Sequence, residues 1–247
     1  MANAKTEKTP AAPEEKATRG RAHVYDLVAR YMYRGLMVGA FLPGQVMSLR
    51  KLAAALGTSP MPVREVLSRL VAANALEETK GGSVRVPRLT PEKIADLFDV
   101  REQLEGNATE RAAKSCTKDL ISELTAINKS LLQAIEKRDI MNCLSQNQKF
   151  HFTLYEASGS DVLMPLIESL WLQFGPTMYM SFLVPSMPWD ATSHVKIIEA
   201  LKAENPGAAK RAVLHDIRRT GQALLNVAGG QSIELPFTRG LELLFDT

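Results

Sequence analysis

The sequence is poor in cysteine and has no long hydrophobic segment. Its two cysteines, Cys116 and Cys143, lie in helix-like surroundings without CxxC spacing, which indicates reduced packing residues and not a disulfide or a metal clip. No stretch of about 18 uncharged apolar residues occurs, and the N-terminal residues lack the apolar core of a signal peptide. These absences argue against membrane insertion and export, so we expect a cytosolic (cytoplasmic) protein.

Charge is distributed unevenly over a chain that is long enough for one large or two modest domains. The 247 residues are 45% hydrophobic and carry a net charge of +3. Residues 19–88 hold eleven lysines and arginines against four acidic residues, a net charge of +7; residues 1–18 balance, which leaves −4 for residues 89–247. This division indicates a polyanion-binding module joined to a second unit, although a solvated basic face without a partner explains the charge equally well.

The basic segment is predicted to contain three helices after a flexible tail. Residues 1–19, rich in Ala, Lys, Glu and Pro, bury too little apolar surface to fold. A first helix starts near Val24 and is broken by FLPGQ, and a second is capped by Ser48 and ended by Gly57.

The stretch SPMPVREVLSRL predicts a third helix with a rigid start. With Ser59 as the N-cap, Pro60 and Pro62 occupy first-turn positions whose backbone N–H groups have no acceptor within the helix. A helix that presents an early arginine just after another short helix matches a helix-turn-helix. Helical spacing divides its residues into a buried stripe and an opposite side, namely Val63, Leu67 and Leu70 against Met61, Arg64 and Ser68.

Two short strand-like runs, LEET and SVRV, flank Lys80-Gly81-Gly82 and predict a hairpin or wing. The stretch PGQVMSLRKLAAALGTSPMPVREVLSRLVAANALEETKGGSVRV resembles the winged helix-turn-helix of the GntR family of bacterial transcription regulators, nearly end to end. One departure is Pro60, where family members often carry an arginine able to pair with guanine, so the operator is expected to differ from the commonest family site. The resemblance implies a double-stranded DNA operator as partner, contacted by Arg50, Ser59, Met61, Arg64, Lys80 and Gly82.

The rest of the chain is predicted to be all-α. After the linker VPRLTPEK, helices are expected over roughly 91–114, 118–136, 138–157, 161–174, 190–204 and 206–228. We therefore expect a mainly α protein with a winged helix-turn-helix over 20–88, an antiparallel helical bundle over 89–230 and a C-terminal tail over 231–247.

Two histidines of the bundle fall inside apolar stripes. Asn147 and His151 are four residues apart and share a helix face with apolar neighbours, and His194 lies in the stripe of another helix. His215 lies beside an apolar row, so periodicity leaves its direction open. Taken singly, each histidine is more often a hydrogen-bonded core residue than a ligand.

Taken together, the elements FHFTLYEASGS, HVKIIEAL and LHDIRR resemble the FCD-type effector domain of the FadR subfamily. In many members three histidines, and an acidic residue four positions before the first, bind a divalent metal that holds a small carboxylate. The resemblance implies a site of His151, His194 and His215, with Asn147 in the acidic position and zinc or nickel as the metal. Because Asn147 brings no negative charge, the protein should hold the metal less tightly, and an anionic effector is favoured to complete the coordination.

Arg101 supports two interpretations. It lies within an apolar stripe that points it toward the bundle interior, where an effector carboxylate is a suitable partner, and it matches the arginine of an R-x-x-L-E element in the resemblance. The alternative is an intrahelical ion pair with Glu105 on a partly exposed face.

These features predict a homodimeric, sequence-specific transcriptional repressor, not an enzyme, whose operator binding is controlled by a small organic acid. A metal-dependent hydrolase with a DNA-binding head is the alternative, since three histidines and an open position also activate water. Against it, neither HExxH nor HxE occurs to supply a general base, and GxSxG and GxxxxGK[ST] are absent. A metal-free bundle that binds an acyl chain is a third reading.

Overall fold

The N-terminal part of the protein is a winged helix-turn-helix. A computed structural model describes residues 13–183 and 189–228. Helix α1 begins inside the expected flexible tail, so the chain is helical from Pro13 onward; this segment contains good helix formers such as Ala, Glu and Lys. The elements are α1 (Pro13–Met37), β1 (Val46–Met47), α2 (Leu49–Ala55), α3 (Pro60–Ala72), β2 (Glu77–Glu78) and β3 (Val84–Arg85).

Helix α3 begins where its sequence predicts. Ser59 has extended backbone angles (φ −75°, ψ 157°), and Pro60 is the first helical residue, where a missing N–H removes no hydrogen bond. The two sides of the helix separate as expected: Val63, Leu67 and Leu70 are buried, whereas Met61, Arg64 and Ser68 are exposed.

The wing is an antiparallel sheet with the strand order β1-β3-β2. Strands β2 and β3 flank the predicted turn, in which Gly82 adopts a left-handed φ of 72°. Their register sets Glu77 opposite Arg85, and these two side chains form an ion pair with an N–O distance of 2.6 Å. The additional strand β1 pairs with the other edge of β3. With two residues it is too short to show an alternating pattern, which is why it was not predicted.

The C-terminal part is a helical bundle whose helices agree with the expected ones to within a few residues. Thr90, Thr117 and Asp139 cap α4, α5 and α6 by accepting hydrogen bonds from backbone N–H groups of the first turn. The 3-10 helix was not predicted, and the expected tail over 231–247 lies outside the described residues. The elements are α4 (Pro91–Lys114), α5 (Lys118–Glu136), α6 (Ile140–Glu156), α7 (Leu163–Phe174), a 3-10 helix (Gly175–Leu183), α8 (Thr192–Lys202) and α9 (Pro206–Ala228).

Helix α9 lies between α4 and α8, and α6 packs on both α5 and α4. The approach of α4 to α9 is close because Gly221 faces Phe98: a Cβ atom at Gly221 would lie 2.6 Å from the Phe98 ring. None of the described helices is long and apolar enough to cross a membrane. This packing directs side chains of α6, α8 and α9 toward one another inside the bundle.

The winged helix and the bundle share one continuous apolar core. At their junction the 3-10 helix packs against the end of α1 without an intervening side chain. A Cβ atom at Gly175 would lie 2.5 Å from the Leu36 carbonyl oxygen and 2.8 Å from the Met37 Cα atom. Just after α1, Gly39 adopts a φ of 67° and faces the Gly175 carbonyl and the Tyr179 backbone nitrogen. The two parts of the protein are therefore in backbone-to-backbone contact.

Substitution of this glycine is expected to loosen the junction. In Gly175→Ala the new methyl group clashes with backbone atoms of Leu36 and Met37, which cannot rotate away. Overpacking of this kind lowers the free energy of unfolding by about 1–3 kcal/mol. Urea unfolding followed by circular dichroism measures the loss. Gly81→Ala is the control, because a Cβ atom there meets open space; equal stability of the two variants would contradict the tight junction.

Candidate functional site

Three ligand-type side chains from three helices meet inside the bundle. They are His151 of α6, His194 of α8 and Asp216 of α9, and their ligand atoms all lie within 4.8 Å of one another. The Nε2 atoms of His151 and His194 are 3.3 Å apart, and His151 Nε2 is also 3.3 Å from Asp216 Oδ2. Both histidines are only 2% exposed, and the Asp216 side chain is 14% exposed. We refer to these three residues as the His–His–Asp cluster.

A buried hydrogen-bond chain fixes the tautomer of His151. Its Nδ1 atom is 3.0 Å from the Tyr155 hydroxyl, and that hydroxyl donates to Glu105 Oε2 at 2.6 Å. Burial and the charge of Glu105 hold the pKa of Tyr155 well above its ordinary value, so the phenol keeps its proton. Since the phenol proton points to Glu105, His151 Nδ1 must donate to the phenol oxygen. The Nε2 atom of His151 therefore faces the cluster, where it lies 3.3 Å from Asp216 Oδ2.

His194 is oriented in the same sense by Asn128. The His194 Nδ1 atom lies 3.2 Å from the Asn128 side-chain oxygen, which can only accept, so Nδ1 carries the proton. The His194 ring also stacks on Phe150, with ring centroids 3.9 Å apart. Burial, together with the neighbouring His151, lowers the pKa of His194 to about 3. His194 is therefore neutral at physiological pH and turns its Nε2 lone pair toward His151.

The third member of the cluster is a carboxylate. Burial alone would raise its pKa, but hydrogen bonding to His151, attraction to both histidines and a hydrogen bond from Ser193 hold the pKa of Asp216 below its ordinary value. His151 Nε2 lies 3.3 Å from both His194 Nε2 and Asp216 Oδ2, and two imidazole lone pairs and a carboxylate oxygen this close would repel one another unless a cation lay among them. That cation is a proton or a metal ion.

Arg101 points into the bundle as expected, but its partner is Glu105. Both side chains are buried, and Arg101 Nε and Nη2 donate to the Glu105 carboxylate at 2.6 and 3.2 Å. The guanidinium lies over the ring of Phe174, 3.7 Å from its centroid. Glu105 also accepts from Trp171 Nε1 at 3.2 Å. The intrahelical pair is thus the observed arrangement, although it is buried and not on a partly exposed face, and Arg101 does not line the pocket described next.

A pocket opens beside the His–His–Asp cluster. Asn147, expected at the acidic position, lines it together with His194 and Asp216. Its wall is completed by Leu131, Met178, Trp189, Ala191, Arg219 and Thr220.

His215 does not join the cluster, contrary to expectation. It is exposed on α9, and its neighbour Asp216 takes the inward position. The reason is the 100° rotation per residue of an α-helix. Position 216 shares a face with the buried residues Val213, three positions earlier, and Thr220, four positions later. This spacing was visible in the sequence, and it favours Asp216 over His215.

The residues expected to contact DNA lie on the surface of the winged helix. All six of them, Arg50, Ser59, Met61, Arg64, Lys80 and Gly82, are exposed. Within the described ranges Arg50, Arg64 and Lys80 form no ion pair, whereas Arg69 pairs with Glu65 at 3.1 Å.

A winged helix-turn-helix joined to a helical domain with a buried ligand-type cluster defines a DNA-binding regulator of two parts. The chain belongs to the GntR family: residues 24–86 match the family described as bacterial regulatory proteins, gntR family, and residues 96–219 match the FCD domain.

Similar proteins include both a repressor and an activator of transcription. The chain is 30% identical over 194 residues to the HTH-type transcriptional regulator McbR of Escherichia coli (strain K12), covering 77% of this chain and 87% of that protein. It is 30% identical over 178 residues to the gluconate operon transcriptional repressor of Bacillus subtilis (strain 168), covering 72% and 69%. It is 27% identical over 242 residues to the Glc operon transcriptional activator of Escherichia coli (strain K12), covering 84% and 95%.

A solved structure supports the same assignment. The chain matches Escherichia coli McbR/YncC with a TM-score of 0.76 at 27% identity, over 84% of this chain and 99% of that chain. These proteins are transcription regulators and not enzymes. The chain is therefore a transcription regulator of the GntR family, and the hydrolase alternative has no support.

The buried carboxylate of Glu105 is expected to be essential for stability. In Glu105→Gln the Arg101 guanidinium stays buried without its counter-charge, which lowers the free energy of unfolding by roughly 3–5 kcal/mol. The double variant Arg101→Met/Glu105→Gln, which removes both charges, should recover most of this loss. Urea unfolding measures both. Glu110→Gln is the matched control on the same helix, since its pairs with Lys114 and Lys210 are solvent-exposed; a similar loss in both single variants would refute the role of burial.

Proposed function

We propose that the protein is a homodimeric repressor that acts in the cytoplasm, and that a small carboxylate releases it from its DNA operator. The effector binds in the pocket beside a divalent metal held by His151, His194 and Asp216. The observation that carries this proposal is the meeting of three ligand-type side chains next to a pocket. Their ligand atoms lie within 4.8 Å of one another, and His151 Nε2 is 3.3 Å from each of the other two.

The donor set suits zinc or nickel. Imidazole nitrogen and carboxylate oxygen bind both metals, and a tetrahedral ion with bonds of about 2.1 Å separates its ligands by about 3.4 Å. The two 3.3 Å contacts of the cluster are close to that separation. The Nδ1 atoms of His151 and His194, on the far side of each ring, donate to Tyr155 and Asn128. Outer-shell partners of metal-bound histidines accept hydrogen bonds in the same way. Asn147 lines the pocket and can offer its amide oxygen as a further neutral ligand.

The charge of such a site favours an anionic effector. Asp216 neutralises one of the two positive charges of the metal, and the two histidines and Asn147 add none. A carboxylate that completes the coordination would neutralise the other. One relative is named for a gluconate operon, and gluconate is a carboxylate, which is consistent with this class of ligand.

The 3-10 helix can connect the pocket to the DNA-binding part. Met178 lines the pocket, while the backbone nitrogen of the next residue, Tyr179, faces Gly39 at the end of α1. An effector that moves the 3-10 helix therefore also moves α1 against the bundle. By linkage, an effector that weakens DNA binding must itself bind less tightly to the DNA-bound protein.

On DNA, two recognition helices of a dimer would enter the major groove about one helical turn, ~34 Å, apart. Arg64 presents its guanidinium from the first turns of α3, Arg50 lies at the start of α2, and Lys80 with Gly82 forms the tip of the wing. The relatives include a repressor and an activator. We propose repression because an effector can release the DNA simply by changing the distance between the two winged helix-turn-helix parts of the dimer.

Metal binding should depend on the inward histidines and not on the outward one. His151→Ala and His194→Ala are each expected to weaken zinc or nickel binding by more than the roughly 10–100-fold that loss of an outer-shell partner causes. Isothermal titration calorimetry of metal-free protein measures the affinity. His215→Ala is the control, because this side chain is exposed.

Two results would contradict the proposed site. One is unchanged metal affinity in the His151→Ala/His194→Ala double variant. The other is loss of metal binding in His215→Ala.

Arg64→Ala should reduce binding to an operator fragment selected from random oligonucleotides. Loss of one bidentate base contact removes about 1–3 kcal/mol, or roughly 5–150-fold in affinity. Gel retardation at fixed salt concentration measures the effect. Arg69→Ala, on the same helix, is the control because Arg69 is paired with Glu65 and lies over Tyr25; equal retardation of the Arg64 variant and wild type would remove Arg64 from the interface.

A further inference from the structure

Two hydrogen-bond donors in the pocket wall have no acceptor. Arg219 and Trp189 line the pocket together with His194 and Asp216. Arg219 Nε and Trp189 Nε1 are both buried, and neither has a hydrogen-bond partner within residues 13–183 and 189–228. Guanidinium and indole N–H groups donate and never accept, so each of these atoms requires an acceptor. Unpaired buried donors are rare in folded proteins, and here they share the wall of a single pocket.

The two neighbouring arginines of α9 differ sharply in their pairing. Arg218 holds Glu102 with two hydrogen bonds of 2.9 and 2.7 Å on the outside of the protein. Arg219 has only Nη1 near Asp190 Oδ1, at 3.4 Å, which is long for a charge-assisted hydrogen bond. Arg219 therefore retains binding capacity for a second, better-placed anion.

The pocket rim that carries Asp190 is held in a strained conformation. Ala191 adopts a left-handed φ of 53°, which an alanine rarely takes. The Asp190 carboxylate accepts from the backbone nitrogen of Thr192 as well as from Arg219, and the Trp189 ring stacks on Phe182 at 4.1 Å. The conformation of rim residues 189–191 thus depends on the weak ion pair between Asp190 and Arg219, in which an anionic ligand can replace Asp190.

We propose that Arg219 and Trp189 bind a carboxylate of the effector, and that Asp190 is its competitor within the chain. This inference rests on the proposed effector site and adds the class of ligand. The pocket contains two binding positions. One is a metal-coordination position beside His194 and Asp216, and the other is an anion position at Arg219 and Trp189. A small acid with two acceptor groups, a dicarboxylic or hydroxycarboxylic acid, satisfies both. The effector arginine is Arg219 and not Arg101. Arg101 Nη1 is also buried without a partner among the described residues, but Arg101 already has its carboxylate partner and does not line the pocket.

Calorimetric titration of the zinc-loaded protein with malonate, succinate, glutarate and malate, and with acetate as the single-acceptor comparison, tests the inference. At least one of the four two-acceptor acids should bind wild-type protein more tightly than acetate. Arg219→Gln should weaken that binding at least tenfold, while Arg218→Gln, the adjacent control, leaves it unchanged. Asp190→Asn, which removes the competitor, should strengthen it several-fold, a gain that a merely structural role of Asp190 would not produce.

The outcomes separate the two proposals. Failure of wild-type protein to bind zinc would overturn the proposed metal site. Zinc binding with no preference for the two-acceptor acids over acetate would leave the metal site standing and overturn the ligand class. Equal losses in Arg219→Gln and Arg218→Gln, or weaker binding in Asp190→Asn, would overturn the assignment of Arg219 as the anion-binding residue.

Discussion

The fold of the effector domain depends on one fully buried carboxylate, that of Glu105. An isolated ionised carboxylate is too unfavourable in an apolar interior to persist, so it requires charge and donors around it. Arg101 of α4, Tyr155 of α6 and Trp171 of α7 supply them. These contacts fix the orientation of α4, α6 and α7 about their own axes. The same carboxylate accepts the hydrogen bond that the Tyr155 hydroxyl donates. The phenol oxygen is thereby left to accept from His151 Nδ1, and His151 Nε2 faces the cluster. A structural ion pair and the ligand geometry are consequences of the same interaction.

The network also reaches the junction with the DNA-binding part. The Arg101 guanidinium lies over Phe174, Phe174 is the last residue of α7, and the following Gly175 packs on the backbone of α1. The pocket meets the same 3-10 helix from the other side, through Met178. The winged helix therefore packs on the 3-10 helix, which is contacted both by the network around Glu105 and by the pocket. Contact alone does not create coupling; coupling requires that this element have two arrangements, between which an effector in the pocket discriminates.

The sequence predicted what is encoded locally and missed what depends on distant partners. The helices of the bundle follow from 3.6-residue periodicity and from caps such as Thr90 and Thr117, so their positions were predicted well. Strand β1 pairs with an edge of β3, and the 3-10 helix packs on the end of α1, so both elements involve contacts that local sequence patterns do not reveal. His215 was assigned to the site by resemblance, with its direction left open by periodicity, and Asp216 was not considered, although the spacing from Val213 to Thr220 places position 216 on the inward face.

Arg101 illustrates a limit on assigning function to an inward-pointing charge. Its direction was predicted correctly from the apolar stripe of α4, and its i+4 neighbour is a glutamate that points the same way. Glu105 neutralises the charge of Arg101 and accepts from its Nε and Nη2 atoms, which leaves only Nη1 without a partner among the described residues. A ligand-binding charge must instead come from an element whose own neighbours do not satisfy it. Arg219 comes closer to that condition. Asp216, one turn earlier on α9, lines the same pocket but forms no ion pair with Arg219 among the described residues, and Asp190 lies across the rim at 3.4 Å. Ligand selectivity in this protein is accordingly expected to lie on α9 and the pocket rim, while the charge pair on α4 maintains the framework.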